Sequence, residues 1–151
     1  MREIKFRLIN RFNKIVGYEK WYSGAWDKDK YWSAFPCWLY STDQKSWRPE
    51  EIKHRTKDQY TGLRDKNDKE IFFRDLGKDR NGNIWRVDEI PRTAGWGVTC
   101  ISDTGAHDEC YPQLLCYGWI VMHDFEIIGN IYEHGHLLEG QQCTVQKQEK
   151  K

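Results

Sequence analysis

Five cysteines and five histidines are the residues in this chain best suited to chemistry. Cys100, His107, Cys110 and Cys116 fall within one loop and its flanks, and thiolate and imidazole are ligand types that zinc prefers. The gaps between them, six, two and five residues, lack the paired Cys-x-x-Cys knuckles of common structural sites. The favoured reading is therefore buried thiols on strands beside a solvated His107, with the quartet kept as a metal candidate. His134 and His136, flanked by Glu133 and Glu139, read as a surface turn with two solvated imidazoles. His123 and Asp124 are adjacent, and adjacent residues of a strand point to opposite faces, which argues against an acid/base pair. The oxygen-rich turns at 65–70 and 79–83 lack the sixth-position glycine and distal glutamate of a calcium loop. No P-loop, Gly-x-Ser-x-Gly elbow, His-Glu-x-x-His or dinucleotide fingerprint occurs. No catalytic residue and no cofactor is expected.

The aromatic residues are the other chemical resource. Trp21, Trp26, Trp32, Trp38 and Trp47 crowd into the first third, with Lys20, Lys28, Lys30 and Lys45 among them. Exposed, such a set could stack on bases or grip a protein. Trp21, Trp26, Lys28, Lys30 and Trp32 are the candidate nucleic-acid-binding residues, although Asp27, Asp29 and Asp43 alternate with the lysines and cancel much of their field. The leading role for the tryptophans is to fill a core short of Leu and Val. An oligomer interface comes next.

These residues need elements to hold them, and the composition indicates which. Apolar residues make up 38% of the 151 and aromatics 15%, a mixture that suits a pleated, half-buried surface better than a helical stripe. The net charge of +1 supplies no broad attraction to phosphate or lipid, so nucleic-acid binding would need a local patch. The N-terminus alternates charged residues and has no apolar h-region, which reads as no signal peptide. No run is long enough to span a membrane, and no membrane partner is expected. An odd number of irregularly spaced cysteines fits reduced thiols, hence a soluble, cytoplasmic protein.

Residues 2–9 alternate strictly, with Ile4, Phe6 and Leu8 on one side and Glu3, Lys5 and Arg7 on the other, as in a half-buried strand. A turn at 10–13 and a strand at 15–22 complete a hairpin. Residues 35–40, around Pro36, read as an edge strand or covering loop. Pro49 with Glu50 and Glu51 predicts a short helix over 49–55. A second hairpin spans 59–76, and Asn81-Gly82 marks a turn where both central residues take positive φ. Strands follow at 84–87, 96–101, 114–122 and 125–132, the last broken by Gly129 as at a bulge. The expected architecture is mainly β: a small barrel- or sandwich-like antiparallel fold of about eight short strands and at most one short helix. It forms a single domain over 1–138, with a polar tail over 139–151 that frays.

Three segments, in this order, resemble the YopX family of phage and prophage proteins. They are Arg2-Glu3-Ile4-Lys5-Phe6-Arg7; then Gln59-Tyr60-Thr61-Gly62-Leu63-Arg64-Asp65-Lys66-Asn67-Asp68-Lys69-Glu70-Ile71; and Ile128-Gly129-Asn130-Ile131-Tyr132-Glu133 followed by Leu137-Leu138. The chain departs from the family pattern at Leu8-Ile9-Asn10, where Ala-Trp-Asp is common. Asp68 stands where the turn usually has glycine, and Phe72-Phe73-Arg74-Asp75-Leu76 where Tyr-Glu-Gly-Asp-Ile is common. Asp tolerates positive φ less readily than Gly, and Arg hardly at all, so both turns are expected to depart from the usual form. The resemblance implies a mainly β, self-associating protein encoded by a phage or prophage, and it implies no reaction. The expectation is thus a non-enzymatic accessory protein that binds itself, as a homo-oligomer, and an unidentified host or phage macromolecule. Single-stranded nucleic-acid binding by a small β-barrel through the N-terminal aromatics is the second reading.

Overall fold

A computed structural model describes residues 3–24, 36–90, 95–102 and 113–137. Contacts divide the chain into two compact units, Met1–Tyr60 and Thr61–Lys151. Among the described residues, ten strands form two antiparallel five-stranded sheets, neither of which closes into a barrel. The first sheet has the order β3-β2-β1-β4-β5, built from β1 (Lys5–Ile9), β2 (Ile15–Tyr22), β3 (Cys37–Ser41), β4 (Thr56–Arg64) and β5 (Glu70–Phe72). The second has the order β10-β6-β7-β8-β9, built from β6 (Asp75–Lys78), β7 (Ile84–Ile90), β8 (Gly95–Cys100), β9 (Gln113–Leu114) and β10 (Glu126–Asn130). The mainly β expectation holds, and the β1–β2 hairpin, the edge position of β3 after Pro36 and the bulge between Ile127 and Gly129 lie where the sequence places them.

The alternation of β1 does not separate a covered face from an exposed one: Leu8 is fully buried, as expected of the apolar side, but Lys5 and Arg7 on the opposite side are covered as well. In register, Phe6 faces Glu19 and Gln59, while Arg7 faces Tyr18 and Asp58, and residues directly opposite share a face. The charged side is covered too. Lys5 and Arg7 are each only 5% exposed, whereas Ile4 is 45% exposed and Phe6 half-buried. The burial is tolerated because the charges have partners: Arg7 Nη2 donates to the fully buried Asp58 carboxylate at 3.1 Å, and the Lys5 ammonium sits 4.7 Å from the Tyr60 ring centre. Hydrophobic alternation alone cannot see such pairing.

One loop design recurs three times. In 10–14, 65–69 and 79–83, the first residue's amide donates to the fifth residue's carbonyl, and the fourth residue's amide donates to the first residue's carbonyl. The first side chain, Asn10, Asp65 or Asp79, accepts amide bonds from the third and fifth residues through one oxygen, at 2.9 to 3.0 Å. The fourth residue takes a left-handed φ: 60° at Asn13, 64° at Asp68 and 83° at Gly82. Asn81 is not among the positive-φ residues, so the Asn81-Gly82 turn has one such position rather than the two expected. Arg74 likewise adopts φ 68°. At both positions where glycine is expected, then, the larger residue takes a backbone that glycine adopts freely, and the chain bears the strain instead of abandoning the geometry.

The core of the second unit gathers Ile71, Trp85, Val87, Val98, Leu115, Trp119, Ile120, Phe125 and Ile127. Its one described α-helix, α1 (Tyr117–His123), occupies part of the 114–122 run read as a strand, and residues 49–55 are not helical. The reason is periodicity: Leu115 and Trp119 are buried four apart, while Tyr117 and Val121, which a strand would place beside Trp119, are exposed. Trp119 meets Trp85 and Phe125 edge-on at centroid distances of 5.2 and 5.3 Å. The helix stops at Asp124, φ 54°, where Asp124 N–H bonds to Val121 O and Phe125 N–H to Ile120 O, a Schellman-type closure. Arg80 adds its amide to His123 O and its guanidinium to Met122 O.

Candidate functional site

On one face of the first sheet, strand register lines up Phe6, Glu19, Trp21, Trp38, Tyr40 and Lys57. Trp21 and Trp38 pack edge-on at 5.2 Å, and Phe6 lies 6.0 Å from Trp38. The Lys57 ammonium stands 4.6 Å from the Phe6 ring centre and 5.3 Å from that of Trp38, and is held by Glu19 at 2.7 Å. Burial, together with the hydrogen bond to the Glu19 carboxylate, pushes the Tyr40 hydroxyl up to about 12. Tyr40 therefore stays protonated near neutrality and cannot serve as a base.

The sequence candidates fall out as follows. Trp21 lies on this face and is 40% exposed, while Trp26, Lys28, Lys30 and Trp32 lie outside the described residues. Trp85 and Trp119 fill the core, so the core reading of the tryptophans applies to the second unit, while Trp21, Trp38 and Trp47 are only partly covered. Cys100 sits on β8 with its thiol against Ser102 O at 3.4 Å, and Cys116 is exposed before α1. His107 and Cys110 lie outside the described residues, and among those described no three His, Cys, Asp or Glu side chains converge on a metal position. His123 stacks on Trp119 at 4.3 Å and donates from Nδ1 to Trp119 O at 3.0 Å, while Asp124 pairs with Lys66 at 3.3 Å, so each is engaged separately. His134 and His136 lie beyond β10, their rings 6.0 Å apart; Asn130 N–H donates to His134 Nδ1 at 3.3 Å.

Two surfaces escaped the sequence reading. Leu114, Tyr117, Val121 and Met122 are 58%, 74%, 59% and 68% exposed, an apolar patch on α1 and the strand before it. The signal was present: 114, 117 and 121 follow helical spacing, but the β-branched and aromatic content pointed to a strand. The second is a cleft of about 350 Å³ in the first unit, lined by Asn10, Arg11, Phe12, Val16, Lys53, His54 and Arg55. Its two halves lie far apart in sequence, so no local motif marks it.

These features define a class: a mainly β protein of two five-stranded antiparallel sheets that exposes aromatic and basic side chains. The chain belongs to the YopX family, whose model, described as YopX protein, matches residues 5–139. Membership suggests a phage-type accessory protein. No curated protein matches it. None of its described helices is long and apolar enough to cross a membrane.

Proposed function

We propose that this is a non-enzymatic accessory protein of a phage or prophage that acts by associating with itself and with a second macromolecule. The supporting observation is the apolar patch of Leu114, Tyr117, Val121 and Met122, all more than half exposed. Clusters of exposed large apolar residues mark interaction sites. The patch carries no charge and the chain's net charge is only +1, so two copies can approach without strong repulsion. A second copy of the chain is the occupant.

Light scattering coupled to gel filtration tests the reading. The wild-type protein at micromolar concentration should elute as an oligomer, and Val121→Glu or Met122→Glu should shift it to monomer without loss of circular dichroism. A wild-type monomer, or an oligomer indifferent to both charges, would falsify self-association through this patch.

A further inference from the structure

The cleft beside the first hairpin brings three cationic side chains and an exposed aromatic ring together. Arg11, Lys53 and Arg55 line it, all exposed, with half-buried His54 between the last two. No carboxylate is among the lining residues. In a chain of net charge +1, this is a local concentration of positive charge. Lys14, exposed in the same loop, adds to it. Phe12 is 67% exposed at the loop tip, and the Arg11 guanidinium lies 4.8 Å from its ring centre. A phenylalanine left in water beside stacked arginine contributes little to folding, yet it offers a flat apolar face next to cations.

The framework is rigid. Asn10 ties the loop with bonds from Phe12 and Lys14 amides, and Arg55 Nη2 donates to Asn13 Oδ1 at 2.8 Å across the cleft. The Arg55 amide bonds to Ile9 O at 2.8 Å, fastening the 53–55 segment to the end of β1. His54 Nδ1–H donates to Ile52 O at 2.7 Å, which leaves Nε2 as the nitrogen able to meet a ligand in that tautomer.

We infer that this cleft binds single-stranded nucleic acid, with Arg11, Lys53 and Arg55 on successive phosphates and Phe12 stacked on a base. Cations spaced along a groove with an aromatic face beside them are the working parts of single-strand recognition. A volume of about 350 Å³ suits a nucleotide unit of a threaded strand. A duplex keeps its bases stacked and could offer Phe12 nothing. The inference rests on the reading of the protein as a binding module, but it concerns different residues from the apolar patch, so either can fail alone.

Fluorescence anisotropy with a labelled deoxythymidine oligomer of roughly ten nucleotides, the length scale of single-strand sites, provides the test. Wild-type protein should bind at low salt, with affinity falling as salt rises. Lys53→Ala and Arg11→Ala should each weaken binding and flatten the slope of log affinity against log salt by about 0.7. Phe12→Ala should weaken binding roughly 5- to 150-fold with the salt slope unchanged. Lys45→Ala, an exposed lysine outside the cleft lining, should bind as wild type. The inference is overturned if wild type does not bind, if Lys45→Ala loses as much as the cleft variants, or if a duplex of the same length binds as well. Equal competition by heparin together with an indifferent Phe12→Ala would also overturn it, by showing a general polyanion site. Because every substituted side chain is exposed, unchanged circular dichroism is expected throughout, and oligomeric state should not move.

Discussion

Asp68 and Arg74 carry positive φ without being glycine, and of the two Asp68 is the simpler to test. Its side chain is exposed and its contacts with Arg64 are surface contacts, so backbone strain dominates what a substitution there does. Asp68→Gly should leave urea stability within about 0.5 kcal/mol, because relief of the left-handed conformation offsets the greater freedom of the unfolded chain. Asp68→Val should cost about 1–2 kcal/mol, since a β-branched residue fits that region poorly. Equal midpoints for the two variants would show that the loop does not enforce its φ. Asp79 belongs to the same loop design but is buried. Burial pushes its carboxyl up, yet hydrogen bonds from the Asn83 side chain and amide, the Trp85 indole and the Asn81 amide outweigh this, and the net shift from 3.8 is downward. A depressed folded value means that the stabilisation is fully present above the unfolded value and is lost as pH falls through the folded one. Asp79→Asn should therefore be less stable at neutrality by about 1–3 kcal/mol and lose less on acidification below pH 3.8. Parallel stability curves for the two proteins would remove Asp79 from the acid response.

Among the elements, β6 and β10 approach closely because Gly77 has no side chain. A Cβ there would stand 2.3 Å from the Phe125 ring and 2.9 Å from Glu126 O. Phe125 is fully buried and cannot withdraw without disturbing Trp119, so Gly77→Ala should destabilise the second unit by about 1–3 kcal/mol. Thermal unfolding followed by tryptophan fluorescence reads this, and an unchanged midpoint would mean that the core yields more easily than its packing indicates. The same elements show what was legible beforehand. Strands whose turns carry their own chemistry, such as β1–β2 around Asn10 and β4–β5 around Asp65, could be placed from local residues. The helix α1 could not, because Tyr, Trp, Ile and Val favour strands and only the packing of Trp119 against Trp85 and Phe125 decides otherwise. The 49–55 segment fails for a related reason: Pro49 and the acids after it offer a helix start, but no apolar stripe follows to bury it.

For the molecule as a whole, the family could be read from three short segments, whereas the candidate surfaces could not. The cleft joins Arg11 and Phe12 to Lys53 and Arg55 through the pairing of β1 with β4, a contact of long sequence separation that leaves no local spacing to read. The tryptophans of the first third were visible, but which of them reach solvent depends on register. One feature of the second unit bears on how the chain lets go. Arg74 donates from Nη1 to the Tyr132 hydroxyl at 2.7 Å, and Ile131 N–H donates to Arg74 O at 3.1 Å. These bonds fasten the chain just past its last strand to the turn between β5 and β6. They act as a clasp against peeling from the C-terminal side, and their value is kinetic more than thermodynamic, since one such part-buried hydrogen bond contributes only about 0.5–1.5 kcal/mol. Tyr132→Phe should shift the unfolding midpoint little while hastening cleavage after residue 130 in limited proteolysis, because local opening there no longer has to break the Arg74 bond. An unaltered cleavage rate would show that the Arg74–Tyr132 bond does not limit opening at that end.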